Sequence, residues 1–257
     1  TFLCSQICKQ DLEKLKKKII KMISDKKKFI FIHPPKVGGN TIHSLLKDYY
    51  SSNVKTFDNR AGNGQGKMVY RDREGDMDKH ATLSDLYKMF PHATDYYKIS
   101  VIRNPWDRTV SWFSWWHGAR AAEDSCMDFR NFVQELAFPY CGGEVPNFLR
   151  SKPFVPTDAE HLPSCHNLAL QPLATWWLHE GCLDVNFLIK FENFENGLRE
   201  VCKKFDIALG KIPKLNTSHN KNYVEFYKNK GKFDEETIEK VRMLFKKDLK
   251  IINYNFI

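Results

Sequence analysis

A short apolar segment that ends in a glycine-containing turn constrains the fold of this chain more than any other feature. Residues 29–32 read Phe-Ile-Phe-Ile, and His-Pro-Pro-Lys-Val-Gly-Gly-Asn follows directly. Apolar side chains at every position indicate a strand buried on both faces, because a half-exposed strand alternates apolar with polar residues. Residues 41–50 then place Ile42, Leu45 and Leu46 at helical spacing. The sequence therefore predicts a strand, a tight turn and a helix here.

The same alternation of strands and helices returns along the rest of the chain. Predicted strands cover residues 97–102 and 184–191, and predicted helices cover 9–24, 83–90, 105–117, 127–138, 172–179, 194–205 and 234–250. Strands that alternate with helices predict an α/β fold with a largely parallel central sheet, flanking helices and a P-loop-like strand-loop-helix. Residues 51–80 and 140–168 are predicted to be irregular, and nothing marks a domain boundary, so we expect a single domain over 1–257.

The positive charge of the chain lies near its two ends. The formal net charge is +9. Its excess lies in residues 1–28, predicted as a basic N-terminal helix, and in residues 211–250. A nucleic-acid binder usually spreads its basic residues over one surface, whereas terminal helices of this kind usually present solvated faces. We therefore predict no nucleic-acid partner.

Cysteine spacing and hydropathy exclude two further classes. The seven cysteines include no Cys-x-x-Cys pair, which disfavours a zinc site, and we assign no metal ligand. No segment reaches the ~18 consecutive apolar residues of a membrane span. We see no secretory signal core, which favours a cytoplasmic location, and a Golgi-lumen domain separated from its membrane anchor is the alternative.

The turn after the first strand has the chemistry of an anion site. Glycine lets the backbone curl so that several N–H groups converge, and a helix N-terminus adds partial positive charge. Lys36 supplies a full charge, and Thr41 can donate from its hydroxyl. A phosphate or sulfate group fits this pattern, although an ordinary strand-to-helix turn is the alternative. The candidate residues are Lys36, Val37, Gly38, Gly39, Asn40 and Thr41.

The turn does not match the nucleoside-triphosphatase loop G-x-x-x-x-G-K-[ST]. Here the lysine precedes the glycines, and no Ser or Thr follows a lysine to hold magnesium. Magnesium-dependent phosphoryl transfer is therefore disfavoured.

A second candidate anion site follows the strand predicted over 97–102. Arg103 leaves the carboxyl end of that strand, where ligands collect in open α/β sheets, and Ser111 lies in the next helix. A guanidinium and a hydroxyl suit a second phosphate group. The alternative is a structural ion pair between Arg103 and Asp107, with Ser111 as a surface residue.

Together these motifs resemble the carbohydrate-type sulfotransferases. Residues 33–41 (HPPKVGGNT) resemble the 5′-phosphosulfate loop of that family, typically H-I-P-K-T-G-G-T-S, and residues 101–108 with Ser111 resemble its 3′-phosphate segment. Further likeness lies in Lys79-His80-Ala81, in residues 191–194 and in 234–254, so the resemblance covers about residues 29–257. Val37 and Asn40 stand where the family usually has Thr. The glycine-rich C-terminal motif of the cytosolic small-molecule sulfotransferases is absent from this sequence.

The resemblance implies a function and a set of roles. The donor would be 3′-phosphoadenosine 5′-phosphosulfate (PAPS), with adenosine 3′,5′-bisphosphate (PAP) as product and a glycan or small-molecule hydroxyl as acceptor. Lys36 would neutralise the departing phosphate, and His80, which matches the catalytic histidine of the heparan 2-O-sulfotransferase branch, would be the general base. Residues 211–232 would be a loop that covers the cofactor.

Two other functions stay open on the sequence alone. A nucleotide-dependent kinase would use the same turn and would require magnesium. A non-catalytic module could bind nucleotides or polyanions through the basic ends of the chain.

Overall fold

The computed structural model describes residues 22–51, 80–119, 128–134, 171–212 and 222–257. These residues form two compact units. The first contains the described parts of Thr1–Pro34, Gly38–Val101 and Trp176–Leu215, and the second those of Pro35–Val37, Ile102–Thr175 and Asn216–Ile257. The predictions for residues 1–21, 140–168 and 213–221, and all but the two ends of the prediction for 51–80, lie outside the described residues.

A four-stranded sheet is the centre of the first unit. Its strand order is β1 (Ile23–Ser24), β2 (Phe29–Ile32), β3 (Tyr97–Ile102) and β6 (Phe187–Lys190). β1 pairs antiparallel with β2, whereas β2 and β3 are parallel with Phe31 opposite Ile99. All four residues of β2 are buried, as its unbroken apolar sequence predicts. The predicted α/β fold with a largely parallel sheet is confirmed.

Three helices of 7 to 11 residues belong to the first unit. They are α1 (Gly39–Leu46), α2 (Leu83–Met89) and α5 (Phe194–Lys204). α2 begins with a capping box in which the Thr82 side chain accepts from the Asp85 N–H and the Asp85 carboxylate accepts from the Thr82 N–H. Gly197 of α5 lies against Ile189 of β6, where a Cβ would approach the isoleucine side chain to 2.8 Å. The glycine thus allows close helix–strand packing.

The second unit is built around an aromatic core. It contains α3 (Pro105–Ala119), the helical residues 129–134, α6 (Glu235–Leu244) and α7 (Lys246–Ile251). Trp106 and Val110 of α3, Phe132, Tyr227 and Val241 are all buried in one cluster. The Trp106 indole N–H donates to the Ile238 carbonyl, and the Tyr227 hydroxyl donates to the Trp106 carbonyl. These bonds satisfy polar atoms that burial would otherwise leave unpaired.

Most predicted elements are confirmed, with three kinds of difference. The helix predicted over 234–250 is interrupted at Phe245, the helix predicted over 41–50 ends at Leu46, and several short elements were not predicted. Ile23–Ser24 form β1 rather than the end of a helix. The segment predicted over 172–179 is a helix only at α4 (Ala174–Trp177), which leads into a hairpin of β4 (Leu178–His179) and β5 (Cys182–Leu183). Within 211–232, predicted as a loop, the described part contains a 3-10 helix at Tyr223–Tyr227 and the start of a second hairpin. That hairpin pairs β7 (Lys228–Asn229) with β8 (Lys232–Phe233).

Across the described ranges, no helix is long and apolar enough to cross a membrane.

Candidate active site

The first unit places the start of α1 directly after the turn that follows β2. Gly38 precedes the helix in a left-handed conformation (φ 81°), and no side chain among the described residues caps α1. The first turn of α1 contains no acidic residue. Backbone N–H groups therefore point out of the helix start with its partial positive charge, which favours an anion there. Gly38, Gly39, Asn40 and Thr41 lie together at this start, as predicted.

Gly39 is required by a contact with His33. A Cβ on residue 39 would lie 2.0 Å from Cδ2 and 2.1 Å from Nε2 of the His33 ring. The imidazole, which is almost fully buried, thus occupies the space beside the first residue of α1. The glycine was predicted for its backbone freedom, and the structure adds this packing reason.

His80 lies beside His33 in the same unit. The two ring centroids are 4.5 Å apart, and His80 Nδ1 is 2.6 Å from the His33 carbonyl oxygen. A carbonyl can only accept, so Nδ1 carries the proton and the neutral ring keeps its basic lone pair on Nε2. The Trp176 indole N–H donates to the His80 carbonyl at 2.8 Å and holds the backbone of this residue. The structure therefore fixes a histidine tautomer that suits a general base.

The second unit contains Lys36 and Val37, which come just before the glycines. Lys36 is in a left-handed conformation (φ 66°), which costs about 1–2 kcal/mol for a residue with a Cβ. Its ammonium lies 5.3 Å from the centre of the Trp115 ring, a cation–π distance. The Val37 side chain is fully buried, so this residue can offer an anion only its backbone N–H.

Two arginines of the second unit hold the backbone around Lys36. Arg103 Nη1 donates to the Lys36 carbonyl at 3.0 Å, and Arg108 Nε donates to the Pro35 carbonyl at 3.1 Å. Strained backbone persists where its surroundings over-determine it. The two guanidinium groups therefore stabilise the left-handed conformation of Lys36.

The predicted alternative for Arg103, an ion pair with Asp107, is present in the structure. Nε and Nη2 of Arg103 donate to the two carboxylate oxygens of Asp107 at 2.7 and 3.0 Å. Arg103 is buried and Asp107 is half-buried, so this bidentate pair is partly shielded from solvent. Ser111 is half-buried in α3, two turns from the start of that helix.

Arg108 was not among the predicted site residues. It is nearly fully buried, and its Nη1 also donates to the Gln171 carbonyl at 2.8 Å. Burial lowers the pKa of Arg108 to about 10, so the group stays charged at neutral pH. Burial likewise raises the pKa of Asp248, opposed by the charge of Arg108, and this carboxylate accepts from the Leu173 and Ala174 N–H groups. The sequence signal for Arg108 was its place within residues 101–108, the segment that resembles the 3′-phosphate motif.

The donors in each unit fit anionic groups rather than a metal ion. The first unit offers a helix start and the second an ammonium and two guanidinium groups. Within the described ranges, no group of three or more His, Cys, Asp or Glu residues could hold a metal ion. A ligand with phosphate and sulfate groups matches these N–H groups and positive charges.

Comparison with known proteins identifies the class. A model described as "Sulfotransferase family" matches residues 21–255, so the chain belongs to the sulfotransferase family. The reaction class is sulfuryl transfer, and the family generally uses PAPS as donor. This membership selects sulfuryl transfer over the kinase that the sequence left open.

The other comparisons add little. The crystal structure of a sulfotransferase from Alicyclobacillus acidocaldarius is similar over 93% of this chain and 93% of that chain, with 14% identity and a TM-score of 0.28. No curated protein matches the chain.

Proposed function

We propose that the chain transfers a sulfuryl group from PAPS to a hydroxyl of a glycan or of a small hydroxylated molecule, as a member of the carbohydrate-type branch. The observation that carries the proposal is the tautomer of His80, held with its basic nitrogen on Nε2 beside His33, whose ring lies against the first residue of α1. The motif likeness of residues 33–41 and 101–111 supports the donor, and the missing glycine-rich C-terminal motif supports the branch.

The proposed donor-binding residues follow from their chemistry. The backbone N–H groups of residues 37–40 and the hydroxyl of Thr41, whose own N–H donates to the Gly38 carbonyl, bind the 5′-phosphosulfate, and Lys36 neutralises the charge that develops on the departing phosphate. Arg103 and Ser111 bind the 3′-phosphate. The ion pair with Asp107 orients the Arg103 guanidinium for this role. When bound, PAPS supplies the sulfuryl group and an anionic leaving group.

His80 is proposed as the general base. Its Nε2 takes the proton of the acceptor hydroxyl while the acceptor oxygen forms its bond to sulfur and the bond from sulfur to the 5′-phosphate oxygen breaks. The Nδ1–H bond to the His33 carbonyl strengthens as the ring becomes an imidazolium. Sulfuryl transfer needs positioning and cationic stabilisation rather than a covalent intermediate.

A transfer assay with ³⁵S-labelled PAPS, EDTA and a panel of glycan and small hydroxylated acceptors tests this function. The variant His80→Asn keeps a side-chain N–H near the Nδ1 position and removes the base. We expect it to lower kcat by about 10²–10⁴ while PAP affinity stays within a few fold. His92→Ala, which removes an exposed histidine of the same unit, is the matched control.

Two results would contradict the proposal for His80. Normal turnover of His80→Asn would move the role to another residue. Lost PAP affinity together with lost turnover would make His80 a structural residue. Transfer that requires added magnesium, or no transfer of label to any hydroxyl acceptor, would reject the proposed reaction itself.

A further inference from the structure

Two buried tryptophans of the first unit donate hydrogen bonds toward the proposed general base. Trp176 and Trp177 are consecutive in the chain and end α4, and the exposed fraction of both residues is 0%. Rings buried in this way cannot stack on a sugar or on any other acceptor. An effect of either tryptophan on the reaction therefore has to pass through the residues that it contacts.

Trp176 holds the main chain of His80. Its indole N–H donates to the His80 carbonyl oxygen at 2.8 Å. An indole nitrogen can only donate and a carbonyl can only accept, so the direction of this bond is fixed. Two residues later, Thr82 begins the capping box of α2. The short segment from His80 to Thr82 is thus held at one end by Trp176 and at the other by the start of a helix.

Trp177 is connected to the end of β2 through Ser100. The Trp177 indole N–H donates to Ser100 Oγ at 2.9 Å, and the Ser100 hydroxyl donates to the Ile32 carbonyl at 2.9 Å. Because the indole cannot accept and the carbonyl cannot donate, the hydroxyl accepts from the first and donates to the second. Ser100 lies opposite Ile32 in the pairing of β3 with β2, and both residues are fully buried.

The bonds from the two tryptophans lead to the two sides of one hydrogen bond. The Ile32 carbonyl belongs to the peptide group that leads into His33, and the His33 carbonyl accepts from Nδ1 of His80 at 2.6 Å. Trp177 therefore holds the main chain on the acceptor side of this bond, and Trp176 holds it on the donor side. Buried bonds of this kind resist displacement, because breaking one leaves desolvated polar atoms unpaired.

The direction of the His80 Nε2 depends on this hydrogen bond. The imidazole is a rigid planar ring, so the bond at Nδ1 and the position of the His80 main chain together set where Nε2 points. A general base has to lie within hydrogen-bond reach of the proton that it removes. A displacement of about 1 Å at a reacting group can lower the rate by about 10²-fold. Small movements of the main chain at residues 33 and 80 should therefore change turnover.

We propose that Trp176, and Trp177 through Ser100, are positioning residues that hold the bond between His80 Nδ1 and the His33 carbonyl in one geometry, so that Nε2 points at the acceptor hydroxyl. The inference rests on the proposed function, because it takes His80 as the general base. It assigns a role in turnover to residues that are buried away from both substrates. Donor binding should not depend on them.

A double-mutant cycle with His80→Asn tests this role in the transfer assay. Trp176→Phe and Ser100→Ala each remove one donor, and each should lower kcat by about tenfold or more while acceptor KM and PAP affinity stay within about twofold. In the His80→Asn background, which has no base to position, the same changes should alter kcat by less than about twofold. A residue that only supports the fold would lower kcat by the same factor in both backgrounds. Trp106→Phe removes an indole bond to the Ile238 carbonyl in the second unit and is the matched control, for which no coupling to His80 is expected.

The bond itself can be followed by ¹⁵N-histidine NMR in the whole chain without ligand. The proton on Nδ1 of His80 gives a signal that His80→Asn assigns by its loss. We expect this proton to exchange faster with water in Trp176→Phe and in Ser100→Ala than in the wild type, and at the wild-type rate in Trp106→Phe. Thermal unfolding of each variant reports the stability of the fold separately.

The outcomes separate this inference from the proposed function. Equal losses of kcat in the two backgrounds, wild-type kcat in both Trp176→Phe and Ser100→Ala, or unchanged proton exchange in both would overturn the inference, while wild-type transfer and its loss in His80→Asn sustain the proposed function. Normal turnover of His80→Asn would overturn the proposed role of His80 and the effect of the tryptophans on turnover with it. Proton exchange would then still decide whether the tryptophans hold the bond.

Discussion

Lys36 shows how much of the site is decided at single residues. Its side-chain charge beside a glycine turn is visible in the sequence, which predicts an anion contact. Its left-handed backbone is not, because that conformation depends on the hydrogen bonds from Arg103 to the Lys36 carbonyl and from Arg108 to the Pro35 carbonyl, which join residues 67 and 73 positions apart in the sequence. Residue type was therefore enough to nominate Lys36, and tertiary contacts explain its geometry.

Replacing Lys36 and Arg103 separates two parts of donor binding. Lys36→Ala should lower kcat more than PAP affinity, since its charge matters most as the leaving phosphate develops. Arg103→Ala should weaken PAP binding by about 2–4 kcal/mol through a lost charge-assisted contact. Single-turnover kinetics and calorimetric PAP titration measure the two effects.

Asp107→Asn is the control for the Arg103 variant. If Arg103 serves only the ion pair, Asp107→Asn and Arg103→Ala should both lower the free energy of unfolding. The two variants should then also change PAP affinity by the same amount. Lys47→Ala, at an exposed lysine after α1, controls for the loss of a positive charge. Normal binding and normal turnover in both Lys36→Ala and Arg103→Ala would contradict the assigned roles.

At the scale of elements, strands and helices of ordinary length could be predicted closely. β2 and β3 have the predicted bounds, and α2 ends one residue before its predicted end. The two-residue strands were missed because a pair of residues carries no periodicity to detect.

Gly39→Ala tests how the start of α1 is built. A methyl group there would overlap the His33 ring, so we expect a loss of about 1–3 kcal/mol in the free energy of unfolding, together with weaker PAP binding as His33 moves. Gly210→Ala is the matched control, because a Cβ at that exposed position meets no atom within 4 Å. That variant should be within about 0.5 kcal/mol of wild type. Chemical denaturation curves measure both.

An equal effect of the two alanine variants would contradict this account of Gly39. So would a stable Gly39→Ala protein with wild-type PAP affinity, because the contact between residue 39 and His33 would then have no energetic consequence.

At the scale of the whole molecule, the alternation of strands and helices predicted the α/β class, and the resemblance of residues 33–41 and 101–111 to known motifs indicated the sulfotransferase family. The first prediction uses an alternation that repeats along the chain, and the second uses two short motifs. Both therefore depend on local sequence patterns. The acceptor depends on which side chains converge in three dimensions, which no local pattern encodes. The proposed single domain over 1–257 and the cofactor-covering role of 211–232 stay predictions.

Calorimetric titration of PAP into the wild-type chain in EDTA tests the central claim most directly. The account predicts saturable binding at one PAP per chain without metal, and binding of adenosine 5′-monophosphate that is weaker by about 2–4 kcal/mol because the 3′-phosphate contact is missing. Binding of a polyanion such as heparin without any PAP binding, or PAP binding that appears only with magnesium, would contradict it.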